Sequence, residues 1–179
     1  MNIWHDIDEK RIQKDEFIAV VEIAKGTKKK YELDKETGLI ILDRVIHSSA
    51  VYPANYGFLP KTLSLDGDPL DVLVLCSQSL DPLTLVKCYA IGVVKMVDGG
   101  FEDEKIIAIP FGDPMYNEYQ SVDELPKYMA EELTHFLKIY KALEPNKITY
   151  VGDIDSREKA QEIIEECKER YMQKYGKKE

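Results

Sequence analysis

Short runs of β-branched, aromatic and aliphatic residues recur through the first two thirds of the chain. The runs cover residues 16–24, 29–34, 38–46, 71–76, 84–97 and 104–109. Polar segments that contain glycine separate the first three runs, which is typical of hairpin turns. In the second run, strict alternation places Lys30 and Glu32 on one face of a strand, opposite its apolar residues. The pattern therefore predicts short antiparallel strands, one of which presents a charged face.

The segment between residues 48 and 69 interrupts this pattern. It contains three prolines and two glycines and shows no periodicity. Compact domains keep connections of this length mostly for binding sites. We therefore expect a long loop with a functional role.

Helical spacing appears only in the last third of the chain. Ser121 and Glu124 resemble a capping box. The stripe that follows at helical spacing is Leu125, Met129, Leu133, Phe136, Leu137 and Tyr140. A short strand is predicted at residues 147–151, and Asp155 and Glu158 are predicted to cap a second helix. The apolar stripe of that helix is Ala160, Ile163, Ile164, Cys167 and Tyr171. Antiparallel strands followed by two helices favour a mainly β fold with α, in which two helices pack outside a small closed barrel.

Length and charge limit the classes of protein to which the chain can belong. The 179 residues are predicted to form a single domain, residues 1–179, and 33 acidic against 24 basic side chains give a net charge of −9. That charge disfavours nucleic acids and anionic membranes as partners, because both attract clustered basic residues. No apolar stretch approaches the roughly 18 residues of a membrane span, and the charged N-terminus does not resemble a signal peptide. We expect a cytoplasmic protein.

Neither the thiols nor the imidazoles indicate a zinc site. Cys76, Cys88 and Cys167 are far apart, and two of them lie in apolar runs, so we expect reduced thiols in the core. The three histidines form no HxH or HExxH pair, and no CxxC lies beside them. The surplus of carboxylates is the feature that needs an explanation.

The densest group of carboxylates is Asp66, Asp68 and Asp71, which lead directly into an apolar strand. Neighbouring carboxylates raise one another's pKa, and a bound cation removes that cost. Gly67 permits a sharp turn and Pro69 holds the residue before it in an extended conformation, so the three side chains can converge. The alternative is a plain polar turn, since Asp, Gly and Pro are common turn residues.

Two comparisons narrow the kind of metal that this group would bind. An EF-hand loop needs Asp or Asn at its fifth position, Gly at its sixth and Glu at its twelfth. This segment has Leu70, Asp71 and Ser77 at those positions, which excludes a calcium loop of that type. A second acidic cluster, residues 98–105, is by itself typical of a solvated hairpin tip, but beside the first cluster it would complete a cage for several metal ions. Oxygen ligands without His or Cys favour magnesium or manganese.

Magnesium held by carboxylates usually shares its remaining coordination with phosphate oxygens and water, so basic residues should accompany it. Tyr52 and Tyr56 add hydroxyl donors in the long connection. Taken singly, each basic residue is more typical of a solvated surface charge, and each tyrosine is more typical of a core aromatic with a solvated hydroxyl. The basic candidates for binding phosphate are Lys30, Arg44, Lys105 and Lys141.

Taken together, the motifs resemble the soluble family I inorganic pyrophosphatases of the short prokaryotic type. Residues 66–74, DGDPLDVLV, are similar to the signature of that family almost letter for letter. The resemblance extends over residues 15–150 and keeps the family's order of motifs. The matching positions are Glu22, Lys30-Tyr31-Glu32, Asp43-Arg44, Tyr52-Pro53, Tyr56-Gly57, Lys95-Met96, Asp98, Asp103, Lys105 and Tyr140-Lys141.

The resemblance implies a five-stranded OB-like closed β-barrel with two flanking α-helices, assembled as a homohexamer. It also implies hydrolysis of inorganic diphosphate to two orthophosphates. The implied cofactor is Mg²⁺, about three to four ions per active site, with Mn²⁺ as a substitute.

The same resemblance implies a role for each matching residue. Asp66, Asp71 and Asp103 would hold the first metal ion, with Asp71 shared with the second. Asp98 and Asp103 would take an ion that arrives with the substrate, and Glu22 would help with another. Asp68 would be catalytic, orienting and deprotonating the water between two ions, so that a metal-bridged hydroxide is the nucleophile. The substrate-binding residues would be Lys30, Arg44, Tyr56, Lys105, Tyr140 and Lys141, supported by Glu32 and Tyr52.

Two positions depart from the family pattern. The family often has Glu where this chain has Gly99, and a small residue is common where this chain has Phe101. Both positions lie in the second acidic cluster, so they bear on the shape of the loop that would carry the substrate-side metal ligands.

Two other functions are consistent with the residues. A metal-dependent phosphatase or nuclease that acts on other phosphate esters would use the same carboxylates. A non-enzymatic OB-like module would bind nucleic acid or a partner through its barrel face. Such a module needs interleaved basic and aromatic residues on exposed strands, and the net charge argues against it.

Overall fold

The structure is a computed structural model, which describes residues 1–145 and 148–176. The helices are α1, Lys127–Ile139, and α2, Arg157–Tyr175. The strands are β1 (Ile12–Gln13), β2 (Glu16–Ile23), β3 (Lys29–Leu33), β4 (Ile40–Val45), β5 (Asn55–Leu59), β6 (Leu70–Val74), β7 (Leu85–Asp98), β8 (Phe101–Glu102), β9 (Lys105–Pro110) and β10 (Thr149–Asp155). Among the described residues, no helix combines the length and the apolar character that crossing a bilayer requires.

Five of the strands close into a barrel. The pairs β2–β5, β5–β6 and β9–β7 are antiparallel, β6–β9 is parallel, and the antiparallel pair β7–β2 closes the ring. Strand β10 extends the sheet from β7, and β3 and β4 form a separate hairpin. The prediction of a mainly β fold, with a closed five-stranded barrel and two helices, is confirmed.

Strand β6 is buried on both faces, which explains why its sequence is a continuous apolar run rather than an alternating one. Val72 and Val74 pack in the cluster that contains the buried stripe of α2, whereas Leu73 packs in the cluster that contains the buried face of α1. Burying an aliphatic side chain of this size contributes about 1.5–3 kcal/mol. The predicted core thiols are confirmed, because all three cysteines are buried and unbridged.

The helices begin later than their sequence signals predict. Ser121 caps a short 3₁₀ turn, Val122–Glu124, rather than α1. Pro126 prevents a continuous helix because the residue before a proline is held in an extended conformation, and Leu125 has ψ 148°. The cap of α2 is Ser156, whose Oγ accepts a hydrogen bond from the Lys159 N–H at 3.2 Å, so the prediction of Asp155 as the cap is wrong by one residue.

The strand predicted at residues 147–151 is found further along the chain. Strand β10 spans Thr149–Asp155, and Lys147 lies outside the described residues. Strand β10 pairs with β7, and Thr149 at the start of β10 is the register partner of Asp98 at the end of β7.

The long connection at residues 48–69 contains a strand that the sequence pattern did not predict. Strand β5 lies within it and pairs with β2 on one side and β6 on the other. Glycine is disfavoured in strands, yet Gly57 is required here because its backbone lies against β2. A Cβ at this position would lie 1.8 Å from the Val20 carbonyl oxygen.

Gly57→Ala is expected to destabilise the fold by roughly 3 kcal/mol, because two barrel strands must separate to admit the methyl group. This corresponds to a fall in Tm of about 10 °C, measurable by circular dichroism. The matched control is Gly112→Ala, since a Cβ there meets no atom within 4 Å. Equal Tm values for the two variants would contradict this account of β5.

Candidate active site

Side chains from both acidic clusters line a single pocket of ≈ 360 Å³. The pocket lies among β2, β3, β6, the end of β7, the start of β9 and the end of α1. Its ionisable side chains are the carboxylates of Glu22, Glu32, Asp66, Asp68, Asp71, Asp98 and Asp103 and the ammonium groups of Lys30, Lys35, Lys105 and Lys141. Tyr56 and Tyr140 also line it. We call this cavity the acidic pocket.

The turn before β6 brings the first three carboxylates into the acidic pocket. The Asp68 N–H donates to Asp66 Oδ1 at 2.9 Å, and the Ser64 N–H donates to the Asp68 carbonyl at 2.7 Å. Strand β6 begins at Leu70, so the next residue, Asp71, leaves the turn already paired with β9. The side chains of Asp66, Asp68 and Asp71 all line the acidic pocket.

Lys105 lies between two carboxylates at the base of the acidic pocket. Its register partner across the parallel pair is Asp71, and its Nζ donates to Asp71 Oδ2 at 2.5 Å and to Asp103 Oδ1 at 2.6 Å. Only 3% of the lysine side chain is exposed. Burial opposes the charged form, but Asp71 and Asp103 outweigh it and raise the pKa of Lys105 well above its ordinary value. Two carboxylates therefore already converge on one cation.

Three carboxylates of the acidic pocket ionise less readily than usual. Burial, reinforced by Asp71, raises the pKa of Glu22 well above its ordinary value. Burial raises the pKa of Asp66 to about 6, and Asp68, Asp103 and Asp71 add to this effect. Burial also raises the pKa of Asp103 in spite of the neighbouring Lys105. Further positive charge in the acidic pocket would favour the ionised form of all three.

The remaining lysines of the acidic pocket are also paired with carboxylates. Lys141 donates to Asp98, and Lys30 donates to Glu32. Lys35 forms an ion pair with Asp68, and its Nζ donates to the Gly67 carbonyl at 3.4 Å. Sequence reasoning missed Lys35, because a lone lysine in the polar turn after β3 carries no signal of its own.

Two residues predicted for the site do not line the acidic pocket. The Arg44 guanidinium donates to Glu144 and to Asp43, although Arg44 is the direct register partner of Lys30 in the β3–β4 hairpin. Tyr52 is 2% exposed, and its ring packs 5.5 Å from that of Tyr56. The other predicted residues all line the acidic pocket.

The two departures at positions 99 and 101 lie in a tight hairpin between β7 and β8, which explains the glycine at position 99. Asp98 and Phe101 are register partners, and between them Gly99 and Gly100 have φ +57° and +86°. A two-residue turn with positive φ at both positions strongly favours glycine, so a glutamate at position 99 would be strained. Phe101 is 55% exposed and does not line the acidic pocket.

The donor set of the acidic pocket fits a hard divalent cation. Among residues 1–145 and 148–176, no three Asp, Glu, His or Cys side chains stand close enough to hold an ion without moving. However, the Lys105 ammonium shows that Asp71 and Asp103 can share one cation, and Asp66 and Asp98 line the same cavity. Carboxylate oxygens without nitrogen or sulfur donors suit Mg²⁺ or Mn²⁺.

The chain is similar to known proteins over most of its length. A family model described as inorganic pyrophosphatase matches residues 19–172. The inorganic pyrophosphatase of Halalkalibacterium halodurans is 46% identical over 153 residues, which cover 86% of this chain and 93% of that protein. The solved inorganic pyrophosphatase of Helicobacter pylori has a TM-score of 0.87 at 40% identity, covering 90% of this chain and 96% of that one. For the Thermus thermophilus enzyme the values are 0.89 and 34%, covering 96% and 99%.

These matches agree with the resemblance seen in the motifs. The matched family segment includes every residue of the acidic pocket. The chain therefore belongs to the inorganic pyrophosphatase family, a family of hydrolases.

Proposed function

We propose that this protein hydrolyses inorganic diphosphate to two orthophosphates, using divalent metal ions bound in the acidic pocket. The observation that supports this most strongly is the meeting of seven carboxylates and four lysines in one cavity. The carboxylates alone would repel a polyanion. Together with bound cations, the lysines make the same cavity attractive to one.

The metal ligands we propose are Asp66, Asp71, Asp98, Asp103 and Glu22, holding about three to four Mg²⁺ ions, with Mn²⁺ as a substitute. Bound there, the ions would offset negative charge on substrate and protein and would lower the pKa of water from about 15.7 towards 7, so that hydroxide would be available as the nucleophile. Asp98 and Lys141 form an ion pair, which supports a proposed metal ligand and a proposed phosphate-binding group side by side.

Asp68 is the residue we propose as the general base. Its side chain is 51% exposed, and its ion-pair partner is Lys35 from the turn after β3. The Asp68 carboxylate is therefore accessible to solvent and also lines the acidic pocket. In this position it would orient the attacking water and accept its proton.

The phosphate groups are proposed to bind the basic and hydroxyl side chains. Glu32 supports Lys30 through their ion pair, and Tyr52 packs behind Tyr56. Phosphoryl transfer depends on positioning and charge stabilisation more than on covalent chemistry, so cations on both phosphates stabilise the leaving group. The residues in this role are Lys30, Arg44, Tyr56, Lys105, Tyr140 and Lys141.

We also propose that the protein acts in the cytoplasm as a homo-oligomer, for which the family resemblance favours a homohexamer. Exposed apolar side chains support contacts between copies. Val97 and Tyr150 are register partners on β7 and β10, and 37% and 71% of their surfaces are exposed. Ile148, next to β10, is 85% exposed.

Phosphate release with magnesium tests the substrate class. The protein is expected to release phosphate from diphosphate much faster than from nucleotides or phosphate monoesters. A preference for nucleotides or for other esters would instead support a general phosphatase or nuclease. Binding of an oligonucleotide at low salt, without hydrolysis of any phosphate compound, would support a non-enzymatic module.

Arg44→Lys is expected to weaken substrate capture, because an ammonium cannot reproduce the two-pronged hydrogen bonding of a guanidinium. We expect kcat/KM for magnesium diphosphate to fall by about tenfold or more. Steady-state kinetics measure this change, and an unchanged kcat/KM would remove Arg44 from the substrate-binding group.

A further inference from the structure

Arg44 and Glu144 form a bidentate ion pair outside the acidic pocket. The guanidinium donates through Nε to Glu144 Oε1 and through Nη2 to Glu144 Oε2, the second bond measuring 2.8 Å. The Glu144 side chain is only 3% exposed and that of Arg44 is 21% exposed. A bidentate pair of this kind fixes the plane of the guanidinium as well as its position.

The pair connects two walls of the acidic pocket. Arg44 lies on β4 directly opposite Lys30, which lines the pocket from β3. Glu144 lies in the turn that follows α1, and its N–H donates to the Lys141 carbonyl at 3.0 Å. Lys141 also lines the pocket, from the segment after α1, and pairs with Asp98. Glu144 thus holds the hairpin to the segment that carries another phosphate-binding lysine.

The pairing also determines which donors of Arg44 remain free. A guanidinium has five N–H donors, one on Nε and two on each Nη. Glu144 accepts one from Nε and one from Nη2, and Asp43 accepts one from Nη1. The two other N–H groups, one on Nη1 and one on Nη2, donate to no acceptor among the described residues, which leaves them for an incoming oxyanion.

A carboxylate beside a phosphate-binding arginine has a cost, because it cancels part of the positive charge. A free arginine side chain, however, loses rotamer entropy when it is immobilised. Holding the side chain in place before substrate arrives removes that loss from the binding step. The buried carboxylate of Glu144 is therefore explained by the positioning of Arg44, whereas charge alone would disfavour a carboxylate at this place.

We infer that Glu144 is a positioning residue for diphosphate binding, which holds the Arg44 guanidinium so that its two remaining donors can bind a phosphate group. This inference rests on the proposed function. It adds a residue to the site that does not touch substrate and that acts only through Arg44.

The test compares Glu144→Gln, Arg44→Lys and the double variant in steady-state hydrolysis of magnesium diphosphate. Glutamine keeps the shape of Glu144 but loses its charge and one of its two acceptors. We expect Glu144→Gln to raise KM by about tenfold with kcat changed less than about threefold. The double variant is expected to match Arg44→Lys within about twofold, because no guanidinium then remains to be held. Glu144→Asp, which keeps the carboxylate, should have an intermediate KM.

The matched control is Glu162→Gln on α2, which removes an exposed partner of Lys159 and should leave KM and kcat unchanged. Thermal unfolding of every variant identifies losses that are due to stability alone. An unchanged KM for Glu144→Gln, or losses that multiply in the double variant, would overturn the positioning role while leaving the proposed function intact. Failure of the unmodified protein to hydrolyse diphosphate would overturn both proposals, and it is recognised without any variant.

Discussion

Asp68→Asn is expected to lower kcat for diphosphate hydrolysis by about 10²–10⁴-fold, the range that positioned general bases contribute. Asparagine has nearly the same shape but cannot accept the proton of the attacking water. The fold should be unaffected, because Asp68 is half-exposed and its ion pair with Lys35 is open to solvent. The change in kcat is measured from phosphate release in samples quenched at fixed times.

Asp153→Asn provides the control for that experiment. Asp153 is an exposed residue on β10 and does not line the acidic pocket. The same chemical change there should leave both kcat and Tm unaltered. Phosphate release by Asp68→Asn at close to the rate of the unmodified protein would exclude Asp68 as the base.

Removal of divalent ions is expected to abolish activity completely, and excess magnesium is expected to restore it. Without added cations the acidic pocket holds seven carboxylates against four lysines, each of which pairs with at least one carboxylate. Diphosphate would therefore meet a surplus of negative charge. The measurement is phosphate release after treatment with a chelator and after titration with Mg²⁺ or Mn²⁺.

The loss of activity on chelation should be reversible and local. The circular dichroism spectrum should be the same before and after chelation. Of the proposed metal ligands, only Glu22 is buried, and the apolar clusters of the barrel contain none of them. Undiminished activity in excess chelator would contradict the proposed use of metal ions. Activity lost together with secondary structure would show that the ions have a structural role instead.

The first acidic cluster was predictable because its chemistry is local. Asp66, Asp68 and Asp71 lie within one turn, and Gly67 and Pro69 restrict the backbone around them enough to indicate convergence. The second cluster by itself is typical of a solvated hairpin tip, so its expected place beside the first cluster does not follow from its local pattern. That it joins the first depends on the parallel pairing of β6 with β9, which places Asp71 beside Lys105.

Other features depend on contacts between distant residues and could not be predicted from local pattern. Strand β5 contains Asn55 and Gly57, both unfavourable in strands, and it is fixed by pairing with strands on both sides. The capping signal at Ser121 predicts too early a start for α1, because Ser121 caps a 3₁₀ turn and Pro126 separates that turn from the helix. Glu144 carries no motif and is separated from Arg44 by 100 positions in the chain.

The net charge of −9 acquires a different meaning once the site is known. The acidic pocket contributes three of those negative charges in excess, since seven carboxylates and four lysines line it. Divalent ions would more than reverse that excess. The net negative charge therefore disfavours phosphate-rich partners only when the protein carries no metal ions.

The most direct test of the central claim is phosphate release from magnesium diphosphate by the unmodified protein and by Asp68→Asn, measured side by side at equal concentration. The account predicts two phosphates released per diphosphate by the unmodified protein and a rate lower by about 10²-fold or more for the variant. Equal rates for the two proteins, or no release above the uncatalysed background by either, would contradict it.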